Sequence, residues 1–244
     1  MANTLLNEAA FRKALDDSLA QSLPEANALY RRQRVRMLVM GLFVAVAMLA
    51  AVLAFFPSLM ILFLLVLYGL YRVVFGKRQH RPRLEVAEDT RRVMLRATLA
   101  ASGWSFSMMT HRSMPIFVFR ESDLFDFEPD DYTSEELVEV RDAHSRIDFS
   151  RIAAGEHVDA FERGADQERN YTGWLLRVFP ARDKRPDWSN VPAPYRARLG
   201  LDQSWMAYGN EEPLFHQGML ELKPNYEACY GLYSAVAEAF RRAS

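Results

Sequence analysis

The sequence predicts an α+β protein carrying a two-helix transmembrane hairpin, and three observations carry that prediction. No Asp, Glu, Lys, Arg or His occurs between Arg36 and Arg72. Between residues 104 and 179 apolar and polar residues repeatedly alternate, which is the two-residue period of half-buried strands. Near both chain ends, apolar residues recur at three- and four-residue spacing, the period of helices that bury one face.

Residues 1–36 read as a cytoplasmic helical segment, with Leu5, Phe11, Leu15, Leu19 and Leu23 set among Arg12, Lys13, Asp16 and Asp17. Pro24 predicts a break, after which 25–36 run helically toward the membrane. As one rod, the uncharged stretch would measure about 50 Å against a hydrocarbon core of about 30 Å. Pro57 removes a backbone donor and biases Phe56 away from helix. The stretch therefore divides into arms 37–55 and 58–75, a hairpin filling 37–75. A re-entrant hairpin is the competing reading of the same arms.

Arg31, Arg32, Arg34 and Arg36 precede the first arm, and Arg72, Lys77 and Arg78 follow within or just beyond the second. Positive charge at both outer ends and none in the turn orients both termini to the cytoplasm of a multi-pass inner-membrane protein. The length of the stretch, and its start after acidic residues, argue against a cleaved signal peptide.

Residues 76–83 read as a basic linker, and 84–244 as one cytoplasmic, strand-rich α+β domain ending in a helix. Its elements are a helix over 84–102 capped by Gly103, then strands at 104–108 and 116–119. An acidic, aromatic loop covers 124–131, and further strands fall at 136–140, 145–152 and 171–179. A proline-rich loop spans 181–194, a short strand 219–222, and an amphipathic helix 226–242.

A net charge of −1 argues against a nucleic-acid partner. The basic collars fit topology signals and anionic-lipid contacts instead. The single cysteine, Cys229, excludes an intramolecular disulfide and a Cys-rich zinc site.

Catalytic patterns are not found. The five histidines lack metal-ligand spacing; His144 and His157, near Asp142, Asp148, Glu156 and Asp159, form the densest His-acid neighbourhood. Solvated strand faces and a loop explain that neighbourhood more simply. Cys229 sits on the apolar stripe of the last helix, where a buried thiol is expected. The carboxylate pairs Asp130-Asp131, Glu135-Glu136 and Glu211-Glu212 read as water-facing. Trp188 and Tyr195, in or beside the proline-rich loop, are the candidates for an exposed recognition patch. Gly41 and the alanines of the first arm permit close helix approach.

The order of parts is familiar, as are the segments Ser102-Gly103-Trp104-Ser105-Phe106, Ser122-Asp123-Leu124-Phe125, Ile147-Asp148-Phe149-Ser150 and Tyr171-Thr172-Gly173-Trp174. Over roughly residues 1–180 the chain resembles the bacterial two-span membrane family termed domain of unknown function 3137, and its C-terminal third departs from that pattern. The resemblance implies an inner-membrane protein with a cytoplasmic domain, and brings no activity, cofactor or catalytic residue.

The function expected is a membrane-anchored binding or scaffold domain with a protein partner or a second copy of itself. The alternatives are an oligomerising two-span effector and a surface enzyme acting on a lipid-linked substrate. The sequence leans against an enzyme and indicates no cofactor and no metal.

Overall fold

In a computed structural model of the chain, the residues described are 7–55, 68, 80–156, 169–180, 184–192, 195–200, 202–209, 214–217 and 221–243. Among them run α1 (Glu8–Phe55), α2 (His80–Ser102), β1 (Ser105–Ser113), α3 (Ile116–Ser122), β2 (Asp131–Ser134), β3 (Glu136–Arg141) and β4 (Arg146–Glu156). There follow β5 (Arg169–Phe179), β6 (Tyr195–Leu199), β7 (Ser204–Gly209), β8 (Phe215–Gln217), β9 (Leu222–Pro224) and α4 (Tyr226–Ala243). The α+β class holds. Two compact units share the chain: 1–15 with 98–214 and 225–244, and 16–97 with 215–224.

The first unit is built on a seven-stranded antiparallel sheet in the order β1-β3-β4-β5-β7-β6, with β2 also paired to β4. β2 and β3 lie along the same side of β4, separated by a slip in register between Ser134↔Ile152 and Val138↔Phe149. At this bulge, Ser134 accepts the Met114 N–H at 2.8 Å, and the Tyr132 hydroxyl donates to the Met114 carbonyl at 2.9 Å. Both backbone groups of Met114 are thus held by β2 side chains where the chain turns into α3.

Strand alternation sorts the core into two layers. Phe149, Leu176 and Met206, aligned across β4, β5 and β7, share the face covered by α4. Asn225 caps α4, its side-chain oxygen accepting the Ala228 N–H at 3.3 Å. Gly231 lets this helix lie against the sheet, because a Cβ there would sit 2.2 Å from the Tyr208 hydroxyl. Phe11, near the start of α1, stacks on Tyr233 of α4 at 4.9 Å between ring centroids. The opposite face buries Ile152, Ala154, Leu175, Trp205 and Ala207 beneath Val118 and Phe119 of α3, with Phe125 and Phe127 packed alongside.

In the second unit, α1 buries Leu19, Ala26 and Tyr30, and α2 buries Met94, Leu95 and Ala97. The β8–β9 hairpin is fastened to α1: Asn27 accepts the Leu222 N–H at 2.7 Å, and Arg31 pairs with Glu221 at 2.6 Å.

Several expectations are corrected. Residues 116–119 are helical rather than extended: Pro115 sits at the N-cap and Asp123 closes the helix in the left-handed region. Val118, Phe119 and Ser122 are its buried positions, a three-and-four spacing that packing on the sheet favours over local β-propensity. Pro24 does not break the helix, since α1 continues through it. An interior proline costs about 3 kcal/mol, and the buried Leu19 and Ala26 on either side offset that cost. Residues 80–83 of the predicted linker belong to α2, where Pro82 falls in the first turn, a position helices tolerate. Of the strand expected at 219–222, residues 219 and 220 lie outside the described residues and Leu222 opens β9; β2, β6, β7 and β8 are additions.

Among the described residues one helix, rather than a hairpin, is long and apolar enough to cross a membrane. Apart from Tyr68, the second arm at 58–75 lies outside the described residues, as do 76–79 of the linker.

Candidate functional site

α1 changes character along its length. Up to Tyr30 it buries one stripe; beyond Arg36 its apolar side chains are exposed around most of its circumference. Leu38, Val39, Met40, Leu42, Phe43 and Val46 are 51–73% exposed. Removing six such side chains from water is worth on the order of 10 kcal/mol, a gain that the protein interior does not supply here. By length and composition this helix could cross a membrane. Met37, Gly41 and Ala45, at four-residue spacing, form the half-buried stripe of this stretch.

The four arginines at its start do different work. Arg31 pairs with Glu221. Arg34 donates to the Tyr30 hydroxyl at 2.9 Å and lies over the Tyr30 ring at 5.3 Å. Arg32 and Arg36 have no carboxylate partner among the described residues. Together with Arg31, Val35, Val39, Met40 and Phe43 they line an open groove of about 640 Å³. Arg72, Lys77 and Arg78 lie outside the described residues.

The first unit holds a charge cluster on β3 and β4. The register sets Glu139 opposite Asp148, and both carboxylates are buried at 7% and 6% exposure. Arg146 grips Asp148 through two bonds of 2.7 and 2.6 Å and reaches Glu139 at 3.1 Å; Arg141 takes the other Glu139 oxygen at 2.6 Å. These carboxylates raise the Arg146 pKa, chiefly through the Asp148 hydrogen bond. Arg146 and Arg177 each stand 5.0 Å from the Phe179 ring. With both acids paired to arginines, the cluster ties β3 to β4, and Arg146 and Arg177 at Phe179 extend it to β5.

His144, expected near Asp148, lies exposed in the β3–β4 turn, and His157 lies outside the described residues. Among the described residues no group of three His, Cys, Asp or Glu side chains is arranged to hold a metal.

Cys229 is fully buried and within 3.6 Å of the Leu214 carbonyl; burial pushes its thiol up to about 11, opposing thiolate chemistry. Burial likewise raises Tyr132 to about 12 and Tyr171 well above its ordinary value.

Trp188 and Tyr195 both lie beside the end of α4. Trp188 is half-buried with the Arg242 guanidinium 5.9 Å from its ring. Tyr195 packs on Tyr208 at 5.6 Å, and its pKa rises to about 12 through burial, with a smaller contribution from the Glu238 charge. Arg242 Nε bonds Glu238 at 2.6 Å, so the two aromatics flank one ion pair. Arg242 also donates to the loop carbonyls of Asp187, Ser189 and Asn190, a clasp that leaves no side-chain pattern in the sequence, unlike the i,i+4 pairing with Glu238.

No family model, no curated protein and no solved structure matches this chain.

Proposed function

We propose that this chain is a membrane-anchored binding or scaffold protein of the bacterial inner membrane, with its α+β domain in the cytoplasm. The observation that carries the reading is the exposed apolar stretch of α1 beyond Arg36, opened by a basic collar. In water that stretch would drive aggregation; in a bilayer it is solvated, and the collar meets the anionic cytoplasmic headgroups. The arms 37–55 and 58–75 together form the two-span anchor, in keeping with the family resemblance.

Binding rather than catalysis is favoured for the domain, because its buried acids are neutralised by arginines and its thiol is held protonated. Trp188 and Tyr195 are the proposed contact residues for a protein partner.

Carbonate washing of membranes, combined with reporters fused to either terminus, tests the proposal. The expected result is retention in the membrane with both termini cytoplasmic. Release into the soluble fraction overturns the anchor, and a periplasmic C-terminus overturns the paired spans.

A further inference from the structure

The groove on α1 has the composition of a lipid site rather than of a general apolar surface. Its residues 31, 32, 35, 36, 39, 40 and 43 follow one another at turn intervals along the helix. The order is polarised: Arg31, Arg32 and Arg36 occupy one end, and Val39, Met40 and Phe43 the other. From Arg32 to Phe43 the helix rises about 17 Å, more than half of one leaflet-to-leaflet hydrocarbon thickness.

The collar is also divided. Arg34 is turned to Tyr30 and Arg31 to Glu221, which fixes the helix around them. Arg32 and Arg36 are left on the groove side without a carboxylate among the described residues. Two guanidiniums beside an apolar track complement one phosphate headgroup carrying an acyl chain.

We infer that this groove binds one phospholipid of net negative charge, its headgroup on Arg32 and Arg36 and an acyl chain along Val35, Val39, Met40 and Phe43. The inference rests on the membrane anchoring proposed above and adds a defined, charge-selective lipid to it. Zwitterionic lipids share the phosphate but carry a choline or ethanolamine cation that the arginines repel. Two arginines near the surface predict a preference for the anionic lipid of about thirty-fold. The apolar track supplies affinity common to both lipids.

The test is native mass spectrometry of the full-length protein in mild detergent, titrated separately with dioleoyl phosphatidylglycerol and dioleoyl phosphatidylcholine. The wild type is expected to retain the glycerol lipid preferentially. Arg32→Gln with Arg36→Gln should bring the ratio close to one. Val39→Trp, which fills the track and leaves the charges intact, should weaken both lipids together and preserve the ratio. A wild-type ratio near one overturns the inference, as does an unchanged ratio in the double variant. If that happens while the protein stays in carbonate-washed membranes, the anchor stands and only the lipid site falls; recovery in the soluble fraction overturns both.

Discussion

Replacing Arg242 with Ala should cost the first unit about 3 kcal/mol. The side chain is 8% exposed and bonds four acceptors. Its Nε donates to Glu238 at 2.6 Å, Nη1 donates to the carbonyls of Asp187 and Ser189 at 2.8 and 3.0 Å, and Nη2 donates to that of Asn190 at 3.4 Å. Removing one partner of a buried pair costs about 3–5 kcal/mol when the other is left alone. Glu238 is not left alone, because Arg241 bonds both of its oxygens at 2.8 and 2.5 Å, and this places the pair at the low end. The loop carbonyls lie at the surface, where water takes over from the guanidinium, adding at most about 1 kcal/mol. For a chain of this size, about 3 kcal/mol corresponds to a fall in Tm of roughly 6–12 °C. Arg242→Lys should recover about half, since an ammonium can pair with Glu238 but cannot fork to the loop. Urea and thermal unfolding of the full chain in detergent, followed by tryptophan emission, measures both; Trp188 makes the loop itself visible. A change in Arg242→Ala below 0.5 kcal/mol, or equal stability of the Lys variant, would refute the clasp.

Three further outcomes are open to measurement. Gly173→Ala should destabilise the sheet by about 1–3 kcal/mol, because its Cβ would lie 2.5 Å from the Tyr208 carbonyl oxygen and 2.8 Å from the Gly209 Cα; equilibrium unfolding checks it, and a neutral variant contradicts the β5–β7 contact. Cys229 should resist a thiol reagent at pH 8 in the native state and react on unfolding, since its thiol sits at about 11; rapid native labelling would show that α4 opens. Hydrogen bonds from Arg241 and Arg242 hold the Glu238 pKa below its ordinary 4.5, so its stabilisation is present above that value and lost as pH falls through the depressed one. Glu238→Gln should therefore lose stability at neutral pH and flatten the acid limb of the unfolding profile; parallel pH profiles of variant and wild type would exclude it.

β4 and β5 are legible through their long β-prone runs although each buries four consecutive residues, 147–150 and 173–176, and the stripe of α4 gives its helical period. β7 buries four consecutive residues too, but Ser204–Gly209 is only six residues long and ends in glycine, so no long β-prone run marks it. α3 was misread because four β-prone residues in a row outweigh, locally, the proline at its start. The basic collar was visible as charge, but which arginines remain available depends on Glu221 and Tyr30, which only the fold brings to Arg31 and Arg34. Asp148 was grouped with His144 by proximity in sequence, whereas strand register pairs it with Glu139. Distances along the chain say little about partners across a sheet.

The tie between α1 and the β8–β9 hairpin has a consequence for synthesis. Asn27 and Leu222 are separated by 195 residues, and Arg31 and Glu221 by 190. At translation rates of about 5–20 residues per second, the first partner of each pair leaves the ribosome roughly 10–40 s before the second. Throughout that interval Tyr30 and its neighbours lack the segment that fastens them, while the apolar stretch just behind them is already available to insertion machinery. The order of events is thereby built into the order of residues: the apolar stretch of α1 is made first, and closure of the β8–β9 hairpin onto α1 comes last. A nascent chain stalled before Glu221 would carry the apolar stretch of α1 without the partner that fixes Arg31 beside it.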